Sequence, residues 1–222
     1  MSSWEQLAGR CDLAFLRPEA SEREFLEVLE LVAALRPYGL VVPSSLAREA
    51  RLRLGQVKLI GAVGFPFGYA TLESKIAELD YLLAQGVDEV DFVPNPYYLR
   101  WGRLSDFYRE LAAFRERAPG IVLKAIVEVG VGEPELKAVL RGLTEYGIDF
   151  LKLGTGFGPR PVSADDVRLA KRLAPVKVKA AGGIRGLAQA LALLEAGADR
   201  LGLSRLDLLR TEWEAAQGRP KG

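Results

Sequence analysis

Ile121-Val122-Leu123-Lys124-Ala125-Ile126-Val127-Glu128, Asp149-Phe150-Leu151-Lys152-Leu153 and Val176-Lys177-Val178-Lys179-Ala180 are three short apolar runs, each with lysine inside it. The segments between them have helical spacing. Leu136, Val139, Leu140 and Leu143 follow Pro134, a favourable first helical residue, and Val167, Ala170 and Leu173 follow Ser163. Short unbroken runs bounded by Gly, Pro or Asp are how parallel strands read when both faces are covered. The alternation continues outward in both directions. Runs at Asp12–Leu16, Gly39–Pro43, Val57–Gly64, Glu89–Pro94 and Arg200–Ser204 bring the strands to eight. Ser21-Glu22-Arg23-Glu24 reads as a capping box ahead of Phe25, Val28, Leu29 and Val32. Ile76, Leu79, Leu82 and Leu83 follow Thr71, Phe107, Leu111 and Phe114 follow Ser105, and Leu187, Ala190, Leu193 and Leu194 precede Gly197. Eight strand–helix units of about 25–30 residues predict an α/β chain folded as a (β/α)8 TIM barrel. A doubly wound open sheet also alternates strands and helices and is the competing architecture. No linker, charge block or low-complexity stretch divides the chain, so one domain is expected over residues 1–222.

Composition narrows the chemistry. The 222 residues are 49% hydrophobic and 27% charged, with a net charge of +1, so no basic footprint for nucleic acid or an acidic membrane is present. One cysteine, Cys11, excludes an internal disulfide framework. There is no histidine, which removes histidine triads, imidazole metal sites and histidine acid–base catalysis together. The segment Met1 to Arg10 lacks an apolar signal core, and no run approaches the ~20 residues that span a bilayer. The expectation is a soluble cytoplasmic protein.

The basic residues are unevenly distributed by type. The chain has nine lysines (Lys58, Lys75, Lys124, Lys137, Lys152, Lys171, Lys177, Lys179 and Lys221), and its other basic residues are arginine. Yet Lys124, Lys152 and Lys179 lie inside three consecutive apolar strands. A lysine there costs several kcal/mol unless paired, neutralised or needed. The three are expected to point into the barrel near its C-terminal end, with Asp91 of the fourth strand and Asp12 of the first as inward carboxylates. A salt-bridged plug neutralised by Asp91, Asp12 and Glu128 would explain one such lysine more readily than three. Lysine differs from arginine in that its amine can lose a proton when desolvated or crowded by another cation, and so become a nucleophile. Two inward lysines on neighbouring strands supply that crowding, the layout of a Schiff-base enzyme that needs neither metal nor histidine.

Glycine-rich turns follow the last three strands: Gly154-Thr155-Gly156-Phe157-Gly158, Ala181-Gly182-Gly183-Ile184-Arg185 and Gly202-Leu203-Ser204-Arg205. Glycines let the backbone approach an anion, and loops after strands seven and eight are the usual phosphate site of such barrels. Thr155, Gly156, Gly182, Gly183, Arg185, Gly202, Ser204 and Arg205, with Asp12, form the candidate substrate- and phosphate-binding set. A small phosphorylated carbonyl compound is the expected ligand.

These residues resemble the deoxyribose-phosphate aldolase family, Schiff-base aldolases with a TIM barrel. The likeness runs from Asp12 to Ser204 and is carried by Val63-Gly64-Phe65-Pro66, Asp88-Glu89-Val90-Asp91, Leu123-Lys124, Phe150-Leu151-Lys152, Thr155-Gly156-Phe157-Gly158 and Val178-Lys179-Ala180-Ala181-Gly182-Gly183-Ile184-Arg185. The resemblance implies that Lys152 forms an iminium with the substrate carbonyl. It has Lys179 lower the pKa of Lys152 and, with Asp91, take part in proton transfer, and has Lys124 polarise the substrate or fix the charge network. Gly156, Gly182, Gly183 and Ser204 would hold the phosphate. The implied reaction is reversible cleavage of 2-deoxy-D-ribose 5-phosphate to glyceraldehyde 3-phosphate and acetaldehyde, with no metal or organic cofactor, in a homo-oligomer (dimer or tetramer).

The chain departs from the family pattern at several points. Leu153-Gly154 stands where two hydroxylic residues are usual, Ala14 where a threonine is common, and Val41 or Val42 where a cysteine is often found. Arg205 follows Ser204 where a second small hydroxylic residue is usual, and Pro94-Asn95-Pro96-Tyr97-Tyr98 follows Asp91 in an unfamiliar form. A class I aldolase acting on another sugar phosphate, or a barrel that binds a phosphometabolite without turnover, are the alternative readings. Tyr97, Tyr98 and Trp101 are candidates for a substrate-pocket wall. Trp4, Trp101 and Trp213 are candidates for either core packing or subunit contact.

Overall fold

Eight parallel strands close on themselves in sequence order, as the alternation predicts and as an open doubly wound sheet would not. The computed structural model describes residues 3–218; Lys221 and the first two residues of the N-terminal segment lie outside them. In chain order the elements are α1 (Trp4–Ala8), β1 (Cys11–Ala14), α2 (Glu22–Leu35), β2 (Gly39–Pro43), a 3-10 turn (Ser44–Leu46), α3 (Ala47–Arg51), β3 (Lys58–Val63), α4 (Leu72–Ala84), β4 (Glu89–Phe92), α5 (Pro96–Arg100), α6 (Leu104–Arg117), β5 (Val122–Val127), α7 (Glu133–Glu145), β6 (Phe150–Leu153), α8 (Ala164–Leu173), β7 (Lys177–Ala181), α9 (Leu187–Glu195), β8 (Arg200–Leu203) and α10 (Leu206–Gln217). Among the described residues no helix is long and apolar enough to cross a membrane.

Side-chain caps fix half of the ten described helix starts. Ser21 accepts from the Glu24 backbone N–H while the Glu24 carboxylate accepts from that of Ser21, the capping box read in the sequence. Ser163 and Asp166 repeat it at α8, and Thr71 caps α4. Two expectations need correction. α6 begins before Ser105, with Arg103 at its N-cap and no side-chain cap, so Ser105 lies inside the helix. Gly132 is the N-cap of α7, which places Pro134 at the second helical position, still within the turn where no N–H is needed.

The outward strand residues and the inner helix faces form one continuous apolar shell, including Leu40, Val63, Val90, Phe92, Leu123, Leu151, Val178 and Leu201. Trp4 and Trp213 belong to it, while Trp101 is exposed. Three recurring turns lock the lower rim. Gly86-Val87-Asp88, Gly147-Ile148-Asp149 and Gly197-Ala198-Asp199 each lead into an even-numbered strand. The aspartates accept the N–H of Leu59, Leu123 and Val178 on the preceding strand, at 2.8, 2.9 and 2.8 Å. Each also takes a cation: Asp88 takes Arg51 and Lys58, Asp149 takes Arg115, and Asp199 takes Lys171. Asp88→Ala should therefore destabilise the fold by about 1–3 kcal/mol, the cost of an unsatisfied strand N–H, read as a lower urea midpoint at unchanged slope.

Candidate active site

Parallel register decides what meets inside the barrel. Lys152 on β6 pairs with Lys179 on β7, Lys179 with Arg200 on β8, and Asp91 on β4 with Lys124 on β5. Because strand side chains alternate, these inward positions divide the interior into two halves. Val41, Ile60 and Ala62, with Ala14 packed against them, fill the β1–β3 side with apolar groups. The remaining strands, with Asp12 of β1, deliver charge.

Asp91 is the hub of that charge. Its Oδ1 accepts from Lys124 Nζ at 2.8 Å, and its Oδ2 from Lys152 at 2.9 Å and Lys179 at 2.7 Å. Lys179 Nζ also lies 2.6 Å from Asp12 Oδ2, and Lys124 Nζ 2.6 Å from Glu89 Oε2; both are charge contacts without hydrogen-bond alignment. Asp12 Oδ1 accepts from Arg200 at 3.1 Å. The Arg200 guanidinium stacks 3.3 Å over the Tyr38 ring, whose hydroxyl donates to Glu89 at 2.6 Å. Glu89, Arg200 and Tyr38 are members of this network that the sequence reading did not include. Glu128, which the salt-bridged-plug alternative placed against the lysines, instead accepts from the backbone N–H and hydroxyl of Thr155.

Four cations (Lys124, Lys152, Lys179 and Arg200) thus face three carboxylates (Asp12, Glu89 and Asp91) in a buried space. Loss of one proton balances the cluster, and the geometry selects which one. Burial is the largest influence on Lys152 and pushes its pKa down to about 8; Lys179 and Lys124 push the same way, while Asp91 opposes them. Crowding by Lys179 is therefore real but secondary to desolvation. At Lys124 burial also works downward, but Asp91, Asp12 and Glu89 outweigh it and hold that amine above the ordinary lysine value. Burial alone would raise Asp91; the three lysines overcome it and keep the carboxyl well below the usual range.

Above the cluster opens a cavity of about 500 Å³ at the C-terminal end of the barrel. Lys152 and Lys179 reach it from below, and Thr155, Gly156, Gly182, Gly183, Arg185, Gly202, Ser204 and Arg205 line it. Asp91 and Lys124 are fully buried beneath. Asp12, expected among the substrate-binding residues, is also fully buried there and holds Lys179 and Arg200. The Arg205 guanidinium is engaged by Asp207 at 2.8 Å. A Cβ at Gly202 would lie 2.9 Å from Ala181 Cβ and 3.0 Å from Lys179 Cε, so glycine there leaves room for both.

The departures acquire physical meaning here. Leu153 alternates with Lys152 and joins the outer apolar shell, so a hydroxyl at that position would face the helices. Gly154 has φ +84°, and a Cβ would come within 2.5 Å of the Ala181 carbonyl oxygen. Ala14 does line the cavity. Tyr97, Tyr98 and Trp101 do not: Tyr97 and Trp101 stack on each other at the outer rim, and Tyr98 packs under Arg103.

No protein-family model matches the chain. It is 41% identical over 207 residues to a deoxyribose-phosphate aldolase of Thermus thermophilus, an alignment covering 89% of this chain and 92% of that one. Among solved structures it resembles an aldolase designated QR15 (TM-score 0.91, 33% identity, 95% and 97% of the two chains). It also resembles a tetrameric deoxyribose phosphate aldolase from Aeropyrum pernix (TM-score 0.88, 28% identity, 97% and 94%). With that identity across nearly the whole length, the chain belongs to the deoxyribose-phosphate aldolase family.

Proposed function

We propose that the protein cleaves 2-deoxy-D-ribose 5-phosphate reversibly to glyceraldehyde 3-phosphate and acetaldehyde, as a class I aldolase with Lys152 as the nucleophile. The observation that carries the reading is one almost buried amine, pKa about 8, at the floor of a glycine-walled cavity and hydrogen-bonded to Asp91 beside Lys179. The free amine of Lys152 adds to the sugar aldehyde, and loss of water gives a protonated iminium. A base removes the proton of the hydroxyl two carbons from the carbonyl carbon. The adjacent C–C bond breaks, its electron pair moves toward the iminium, and glyceraldehyde 3-phosphate departs. The enamine left on Lys152 takes a proton at carbon, and hydrolysis of the resulting iminium releases acetaldehyde. Lys179, held by Asp91 and Asp12, is the group placed to move those protons. The turns at Gly182-Gly183 and Gly202–Ser204 lead toward α9 and α10 and supply a backbone cradle for the phosphate. The Aeropyrum pernix relative is tetrameric, which supports a homo-oligomeric assembly.

Borohydride added with 2-deoxyribose 5-phosphate or acetaldehyde should reduce the iminium and leave a covalent adduct on the peptide containing Lys152. A folded protein that carries no adduct, or carries it on another lysine, refutes the assignment.

A further inference from the structure

A second, smaller cavity of about 240 Å³ lies at the same end of the barrel, on the side of β4–β6. Its wall includes Val93, Leu99, Phe107, Ile126 and Val131, and its polar side chains are already placed elsewhere or peripheral. The Glu128 carboxylate is bound by Thr155, and Arg100 is exposed. The glycine turns after β7 and β8 do not reach it. It is suited to hydrocarbon, not to phosphate.

Two features tie this cavity to Lys152. Ile126, which contributes to its wall, is the register partner of Lys152 on the neighbouring strand. Thr155 and Phe157 line both cavities and form the partition between them. Phe157 is half exposed, lies between Gly156 and Gly158, and touches other rings only edge-on, Phe65 at 5.8 Å and Phe67 at 6.3 Å between centroids. The partition is thus one threonine and one aromatic side chain on a glycine-rich turn.

Direction follows from the placement. The phosphate cradle is on the β7–β8 side of Lys152 and the apolar cavity on the β4–β5 side, so a substrate chain running from the amine toward the cradle leads away from the cavity. A group that enters it must branch from the fragment that stays on the lysine. We propose that this cavity is a donor-side subsite, which takes the alkyl tail of aldehydes longer than acetaldehyde, such as propanal and butanal. The proposal rests on Lys152 being the Schiff-base lysine. In the addition direction the aldehyde condenses with Lys152, losing water, and loss of a proton from the next carbon gives the enamine. That carbon, now carrying the alkyl tail, bonds to the carbonyl carbon of glyceraldehyde 3-phosphate, whose oxygen takes up a proton. Water then hydrolyses the iminium and frees a 2-alkyl-branched aldehyde phosphate.

The test measures kcat/KM for acetaldehyde, propanal and butanal with glyceraldehyde 3-phosphate as acceptor. The natural chain should use butanal within about tenfold of acetaldehyde, because each buried methylene returns roughly fourfold in binding. Val131 lines the side cavity and not the catalytic one. Val131→Phe should therefore fill it and lower butanal by about tenfold or more, while acetaldehyde addition and deoxyribose 5-phosphate cleavage stay within about twofold. Phe157→Ala, which removes the aromatic part of the partition, should raise the butanal-to-acetaldehyde ratio. The proposal is overturned if Val131→Phe cleaves deoxyribose 5-phosphate normally and keeps the parental ratio, or if the natural chain adds acetaldehyde but not butanal. Absence of all turnover, acetaldehyde included, would sink the Schiff-base reading and this one together.

Discussion

Lys152→Met should abolish retro-aldol cleavage of 2-deoxyribose 5-phosphate, lowering kcat by at least about a thousandfold, and should leave a barrel that is no less stable than the natural one. The loss follows from chemistry: without the amine there is no iminium to receive the electron pair of the breaking bond. The retained stability follows from charge. Methionine nearly matches the lysine stem in volume, and its arrival leaves three cations against three carboxylates where there had been four against three. The sign against pH is fixed by the same group. The Lys152 pKa is about 8 in the fold and near 10.5 when free, so the unfolded chain binds the extra proton between those values. Natural-chain stability from this group rises with pH across that window and is lowest below it. The stabilising effect of Lys152→Met should accordingly be largest below pH 8 and shrink above it, in chemical denaturation at several pH values. Cleavage by the natural chain should in turn rise with pH to a shoulder near 8. A variant that retains cleavage, or a natural profile flat from pH 6 to about 9, contradicts this account.

The barrel was legible because parallel strands covered on both faces leave a plain signal. Each of the eight apolar runs overlaps an observed strand, and no end differs by more than two residues. Short helices carry no such signal: α3 and α5 have five residues each, too few for an apolar face to recur. α10 was readable and missed, since Leu206, Leu209 and Trp213 follow helical spacing. The Gly-x-Asp turns before β4, β6 and β8 were also present as a repeat in the sequence, although their role appears only when each carboxylate meets the strand before it.

Within the site, the lysines were legible because a chain that otherwise uses arginine places lysine in three adjacent strands. The rest of the network had no local signature. Tyr38 lies just before β2 and meets Glu89 51 residues later, and Arg200 joins Asp12 across 188 residues at barrel closure. Glu89 is two residues from Asp91 and shares its face, a spacing that would have identified it once the inward side was known. The depth of Lys152 was not accessible from sequence, and depth proves to be the stronger lever on its pKa.

Asp91→Asn should produce the largest loss of stability of any single change in the cluster, about 3–5 kcal/mol, because it strips three buried ammonium groups of their shared carboxylate. Four cations would then face two carboxylates in the same volume. In the natural protein the carboxyl is held well below the usual range, so its stabilising contribution is complete above the free carboxyl value of about 4 and disappears only as pH falls through the lower folded value. The variant should therefore show its full deficit at neutral pH and a smaller one in acid. The same substitution tests the electrostatics of catalysis in the opposite sense. Asp91 is the group that raises the Lys152 pKa against burial and the neighbouring lysines. Its removal should move the shoulder of the pH–rate profile to the acid side of 8, even as kcat falls because Lys179 loses one of its two carboxylate partners. A shoulder that stays in place, in a variant shown to be folded and less stable, would mean that Asp91 only braces the barrel and does not set the charge state of the amine above it.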